Sequence, residues 1–388
     1  MANTLTYSPR HSGHLHGGGI KKVLSFCKAQ PVLIAAFTAA VVTMFFVPPD
    51  AQYIDYCNFG VLAELFGLMI AVAGLRSVGI FERLTAFMLK KAGSVRRLSQ
   101  IFVLVCFFSS MLVTNDVALI TFVPLTLLAY AGIHDERSRI ITVVLETVAA
   151  NLGSMMTPVG NPQNLYIYDE FGLNAMQFVS AMLPAGLISL VLILLLSLLI
   201  PKTVCDTAKK QQERISGGLT AVYGAVFVLC VLAVFKVIPY PICAAAAVIA
   251  ALATDRKLLL KADYALLATF ICFFIFVGNI SRVGEVSAFF SEILAGREVF
   301  VSAMLSQVIS NVPAAVMLSG FTTNGTALLV GVNLGGLGTP IASMASLISL
   351  QFYRSSENAS TGKYMAVFTA VNFGMLAVLL AVQLLVLS

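Results

Sequence analysis

Leu112–Thr121 reads LVTNDVALIT, a polar triplet (Thr114, Asn115, Asp116) between two apolar runs that are each short for a membrane span. As helix, Ser99–Val113 covers about 22 Å and Val117–Tyr130 about 21 Å, against roughly 30 Å of hydrocarbon. The pattern predicts a re-entrant hairpin over 97–130 with its tip at membrane depth, where non-helical backbone is tolerated only beside protein or a water-filled cavity. Two short spans joined by an exposed turn would fit the same stretch. Recurrence separates the readings: Leu305–Ser319, LSQVISNVPAAVMLS, repeats the break at Ser310-Asn311 and predicts a second hairpin over 298–322. Matching breaks in the two halves of a hydrophobic chain point to a transporter site built from inverted repeats.

Composition fixes the solvent. Of 388 residues 59% are hydrophobic and 11% charged, which excludes a soluble globular protein and predicts an all-α, multi-pass membrane protein. The net charge of +6 does not imply a nucleic-acid partner, because nearly all Lys and Arg fall in short loops on one side of the spans. The seven cysteines have no close-spaced pair, so neither a disulfide framework nor a zinc site is expected. The His/Gly tail His11–Gly19 reads as a disordered cytoplasmic segment within 1–30. No cleaved leader is expected, since a polar stretch of about 30 residues precedes the first apolar run.

The first half, 31–200, holds spans Pro31–Val47 and Phe59–Leu75, an interfacial helix over Phe81–Lys91, the first hairpin, and a broken span over 138–168. That span runs into Gly153, Pro158, Gly160 and Pro162, which a regular helix does not accommodate. Met176–Ile200 follows. The polar linker 201–218 leads to the second half, 219–388: Leu219–Ile238, Pro241–Thr254, Tyr264–Ile280, an interfacial helix Glu285–Gly296, the second hairpin, a broken span over 326–353, and Met365–Leu387. NLGSMMTP (Asn151–Pro158) and NLGGLGTP (Asn333–Pro340) are the most specific repeat pair. Five crossings separate the second span from its counterpart, and an odd count inverts the second copy. On this topology the N-terminus and linker are cytoplasmic, the C-terminus is outside, and only Lys236, Arg282 and Arg297 of the 24 bases fall outside.

A hairpin tip joins the carbonyl end of one half-helix to the N–H end of the next, so cation and anion can bind at one point. Asn115 and Asn311 would coordinate through amide oxygens or cap the outgoing half-helix. Carbonyls freed around Gly153–Thr157 and Gly335–Thr339 add to the site, as does the polar run Gly160, Asn161, Pro162, Gln163, Asn164. Among carboxylates in apolar stretches, Glu64 reads as snorkelling or paired. Asp116 and Glu146 are the coupling candidates, Asp116 first because it sits in a break.

At these motifs the sequence resembles the ion transporter superfamily, including citrate-transporter-like permeases, arsenite efflux permeases and sodium/proton antiporters of one fold. In the related divalent-anion/sodium symporters, Ser-Asn-Thr motifs at the hairpin tips hold sodium and substrate. The resemblance carries those roles to Thr114-Asn115-Asp116 and Ser310-Asn311, with sodium at Asn115 and Asp116, and implies a homodimer. Asp116 and Val312 depart from the motif, and the second broken span reads IASMASL where the first has Gly160–Asn164. That asymmetry favours one cation or proton site, in the first half. The expectation is a secondary transporter of a small anion (a di- or tricarboxylate or an oxyanion) in the cell's inner membrane, with no cofactor beyond a coupling sodium ion or proton. Its expected ligands also include Asn151, Gly153, Thr157, Gly160, Asn161, Asn164, Asn333, Gly335 and Thr339. A sodium/proton antiporter is the alternative. An intramembrane protease would need a second mid-membrane Asp beside Asp116, and the remaining Asp residues fall in loops or at span ends.

Overall fold

A computed structural model describes residues 30–81, 83, 92–133, 135–204 and 216–387. The tail to residue 29, most of the interfacial helix expected over Phe81–Lys91, and linker residues 205–215 lie outside the described residues. Seventeen α-helices are described: α1 Pro31–Met44, α2 Gln52–Tyr56, α3 Phe59–Ser77, α4 Val95–Val113, α5 Asn115–Ala129, α6 Glu136–Ser154, α7 Pro162–Glu170, α8 Ala175–Ser197, α9 Gly217–Val234, α10 Tyr240–Thr254, α11 Tyr264–Ser281, α12 Gly284–Leu294, α13 Glu298–Ile309, α14 Asn311–Ser319, α15 Gly325–Leu334, α16 Met344–Arg354 and α17 Thr361–Leu387. Among the described residues there is no strand, only an isolated bridge between Ser94 and Val204.

Local chemistry sets the boundaries. Asn58, Asp135, Asn161 and Asp263 each accept a backbone N–H from the first turn of the helix that follows, and Asn174 with Gln177 forms a reciprocal capping box on α8. Each stretch expected as a broken span contains a helix interruption. The first unwinds between α6 and α7 through a single 3-10 turn, Pro158–Gly160, and the second between Leu334 and Met344.

Some lengths differ from expectation. Helix α4 begins at Val95 rather than near Ser99, because Ser94 caps it and Arg96 hydrogen-bonds the carbonyls of Leu198 and Ile200. Its 19 residues make about 28 Å. Among the described residues, six helices are long and apolar enough to cross a membrane: α3, α4, α8, α9, α11 and Thr361–Gln383 of α17. Helices α1 and α10, expected as crossings, have 14 and 15 residues.

Packing follows a paired scheme. Helix α4 lies along α6 and α13 along α15, while α5 packs on α16 and α14 on α7. Helices α8 and α17 each flank α6 and α15, and α3 packs with α9 and α10. Both broken helix pairs fold back on themselves. Ser99 at the start of α4 hydrogen-bonds Tyr130 at the end of α5 (2.7 Å), and Glu298 at the start of α13 accepts from Thr322, just beyond α14 (3.2 Å).

Candidate functional site

The two breaks share one backbone geometry. Thr114 has φ 72° and ψ 151°; Ser310 has φ 77° and ψ 154°. This region is almost reserved for glycine and costs on the order of 1–3 kcal/mol for other residues, so the surrounding packing holds both positions there. Each break ends one helix and starts the next without an intervening loop, which leaves carbonyls of α4 and α13 and N–H groups of α5 and α14 at the same two points.

Asn115 donates to Asn151 Oδ1 (3.0 Å), and its own Oδ1 accepts the backbone N–H of Asp116 (2.9 Å). It therefore caps and connects at once, while Thr114 occupies the cap position proper. Asn151 Oδ1 also accepts from Ser343 (2.9 Å), and Asn151 Nδ2 makes a long contact to the Gly336 carbonyl (3.5 Å). At the second break, the Asn311 backbone N–H and the Ser310 hydroxyl donate to the Ala342 carbonyl (2.9 and 3.3 Å), and the Asn311 amide lies against Gly336. The two breaks are thus joined through Asn151 and the segment Gly336–Ser343.

The polar run of the first broken span belongs to the same network. Asn161 donates to Ser154 Oγ and to Asn333 Oδ1 (both 3.1 Å). Asn333 donates to Asn164 Oδ1 (2.6 Å), and Asn164 donates to the carbonyls of Ser154 and Thr157 (3.2 and 3.0 Å). All six asparagines are buried at 5% exposure or less. The starts of α5, α7, α14 and α16 therefore converge on one buried polar network. Gly153 is required by close approach: a Cβ there would lie 2.0 Å from the Phe107 carbonyl. Gly160 packs as closely on the Ser154 carbonyl.

Thr157 and Thr339 play matching parts. The Thr157 hydroxyl donates to the Met111 carbonyl, and the Thr339 hydroxyl to the Gln307 carbonyl (2.9 Å); both acceptors stand three residues before their breaks. Gln307 and Ser343 are absent from the sequence expectation. The signals were available: Gln307 is a lone amide in an apolar run, and Ser343 stands in the repeat register where the first half has Asn161. The Gln307 amide nitrogen donates to the carbonyls of Ala303, Gly335 and Leu337, and its oxygen accepts the Thr339 N–H.

The coupling candidates differ in setting. Asp116 lies in the first turn of α5, half-buried, with Oδ1 enclosed and without a hydrogen-bond partner among the described residues. Glu146 is fully buried in mid-α6; Oε1 accepts from Thr126 (2.7 Å) and Cys106 (3.7 Å), and Oε2 has no hydrogen-bond partner among the described residues. Gln163, also buried, has neither amide atom hydrogen-bonded among the described residues. Glu64 is buried on α3 and does not join the network.

A citrate transporter family model (CitMHS) matches residues 23–325. An uncharacterized transporter of Methanocaldococcus jannaschii is 31% identical over 324 residues, covering 82% of this chain and 87% of its own. The inner membrane protein YbiR of Escherichia coli is 32% identical over 314 residues, covering 79% and 83%. The silicon efflux transporter LSI3 of Oryza sativa is 30% identical over 127 residues, 33% of this chain and 26% of its own. The family match takes in well over half of the sequence and relatives of comparable identity span most of both chains, so this chain is a membrane transporter that belongs to the citrate transporter family.

Proposed function

We propose that the chain is a secondary active transporter that binds a small anion at the junction of the two breaks and couples its movement to sodium or protons. The observation that carries this reading is the convergence of four helix N-termini on a buried, uncharged Asn/Ser network. Helix N-termini present free N–H groups and positive potential, which suit an anion, and neutral amides can release it again. Di- and tricarboxylates are the first substrate class to test, given the family. An oxyanion such as silicate or arsenite is the second; the rice silicon efflux transporter supports it across 33% of the chain.

The alternating-access frame is a pair of inverted repeats with re-entrant hairpins α4–α5 and α13–α14. Three features support it. The breaks have the same dihedral angles. The packing exchange is reciprocal, α5 on α16 and α14 on α7. So are the cross-half hydrogen bonds, Asn161 to Asn333 and Ser343 to Asn151. The open ends also fit opposite faces. Arg96 ties the start of α4 to the end of α8, whereas Phe171, just before α8, packs on Gly325 beyond α14. The 23 residues of α8 separate these ends by about 34 Å. Cytoplasmic N-terminus and linker, external C-terminus and a homodimer complete the reading.

A thermal-shift screen of the purified protein against sodium, pH, citrate, dicarboxylates, phosphate, sulfate and arsenite tests it, since ligands of the native state raise the melting temperature. Stabilisation by an anion that depends on a cation or on pH is expected, and no response to any anion would defeat the proposal. The carboxyl oxygens of Asp116 and Glu146 that have no hydrogen-bond partner among the described residues keep sodium/proton antiport as the second reading. Labelled-anion uptake compared with a pH-gradient dye in proteoliposomes separates the two.

A further inference from the structure

Pro124 stands inside α5, and a proline has no N–H for the carbonyl four residues before it, so the Ile120 carbonyl loses its usual helical donor. Arg76 supplies one from another helix. From the last turn of α3 its Nη2 donates to that carbonyl at 3.3 Å, with the side chain exposed. Helix α3 packs on α9 and α10, and α5 on α4, α6 and α16, so the arginine reaches from one group of helices to the other. Beside it, Phe81 stands edge-on to Phe122, with ring centres 6.1 Å apart.

The second half makes the matching contact without such an arm. Aligning Val78-Gly79 with Val283-Gly284, and Asn115 with Asn311, sets Ser281 opposite Arg76 and Gly320 opposite Pro124. These two meet directly: a Cβ on Gly320 would lie 3.0 Å from Ser281 Oγ and 2.5 Å from Val277 Cγ1. Helix α11 therefore closes on α14, and the Val316 carbonyl, opposite Ile120, accepts the Ser319 hydroxyl of its own helix (2.8 Å). Close packing of this kind resists separation, whereas an exposed guanidinium trades one carbonyl for water at small net cost.

We infer that the seam between α3 and α5 is a gate and that Arg76 is its bar, a positioning residue that holds the first hairpin shut through the Ile120 carbonyl. Pro124 serves it twice, by freeing the acceptor and by weakening α5 at the same point. Arg76 belongs to the bases that the charge bias assigns to the cytoplasm, so the gate faces that side. Such a gate presupposes the proposed transport function and adds to it which hairpin yields and towards which face.

The experiment uses two matched alanines, Ala118 on α5 and Ala314 on α14, both fully buried. Each is replaced by Cys in a cysteine-depleted full-length protein, and labelling by an impermeant maleimide is timed in right-side-out and inverted vesicles. Arg76→Ala should speed labelling of Ala118→Cys from the cytoplasmic face about three- to tenfold, the range for a hydrogen bond from an exposed charged donor, and leave Ala314→Cys and external labelling unchanged. Arg76→Lys keeps a charged donor and should restore most of the protection. Pro124→Ala returns a helical donor to Ile120, so in that background Arg76→Ala should change the rate by less than about twofold. An Arg76→Ala rate at the wild-type level, equal acceleration at both alanines or from both faces, or undiminished acceleration in the Pro124→Ala background overturns the inference. If Arg76→Ala fails to fold, folding rescued by Pro124→Ala upholds the pairing of these residues, and no rescue overturns it. The labelling rates need no substrate, so their outcome is separate from that of the ligand screen.

Discussion

Asn333→Ala is the sharpest test of the network that joins the halves. Asn333 donates to Asn164 Oδ1 and to the Leu329 carbonyl, and accepts from Asn161. Interhelical side-chain hydrogen bonds in membrane proteins average about 0.6 kcal/mol, so the two contacts to α7 and its cap account for about 1 kcal/mol. Most of the cost comes from the group that the substitution strands. The hydrogen bonds that Asn164 makes from its side chain to Ser154 and Thr157 are donated by Nδ2, which leaves its buried Oδ1 without Asn333, at a cost of about 1–3 kcal/mol. The expected destabilisation is therefore about 2–4 kcal/mol, read as the loss of unfolding free energy in mixed micelles titrated with SDS. Asn164→Ala removes the acceptor and leaves the Asn333 amide its bond to Leu329, so the double variant should cost at least about 1 kcal/mol less than the sum of the singles. A loss under about 0.5 kcal/mol for Asn333→Ala, or strict additivity in the cycle, would refute the claim that these amides bind the halves together.

Three further outcomes are expected. Asp116→Asn should remove cation stimulation of tracer uptake in proteoliposomes while anion binding persists; unchanged ion dependence would make the carboxylate a helix-terminal group only and pass the coupling role to Glu146. Glu146→Gln should fold with an unfolding free energy within about 1 kcal/mol of wild type, because an amide keeps the Thr126 bond and buries no charge, whereas Glu146→Lys, a lone cation among packed helices, should not accumulate as folded protein on size-exclusion chromatography. In a cysteine-depleted background, a Cys placed at Glu357 should react with an impermeant maleimide only from the cytoplasmic face and one at Ser388 only from outside; the reverse pattern for either would break the parity argument.

The helix breaks at Thr114, Ser310 and both NLG segments are legible in the sequence because polar and Gly/Pro residues interrupt long apolar runs, a local signal. The union of Asn115, Asn151, Asn161, Asn164 and Asn333 is legible only as a set of polar residues at breaks. What connects them spans 172 positions for Asn161 and Asn333 and 192 for Asn151 and Ser343, and no local pattern encodes such pairings. Ser343 escapes notice because it does by hydroxyl what Asn161 does by amide, so the halves look less alike in residue type than in bonding. Cys230 and Cys243 are another case: unremarkable in spacing, both approach Gly67, where helices α9 and α10 close on α3. The hairpin bound expected at residue 97 falls two residues inside α4, because Arg96 satisfies carbonyls at the end of α8, a partner about a hundred positions away.

The reciprocal packing of α5 on α16 and α14 on α7 bears on how the chain is made. Helix α5 leaves the ribosome long before its partner α16, and at about 5–20 residues per second the wait between Ala129 and Met344 is on the order of ten to forty seconds. Throughout that interval Asn151, the partner of Asn115, lacks Ser343, and the break at Thr114 lacks the packing of α16 on α5. Until the second half arrives, the first half therefore leaves the polar groups of its helix breaks without their cross-half partners. A chain truncated between Ala129 and Met344 should therefore be cleaved faster by an added protease than the full-length protein.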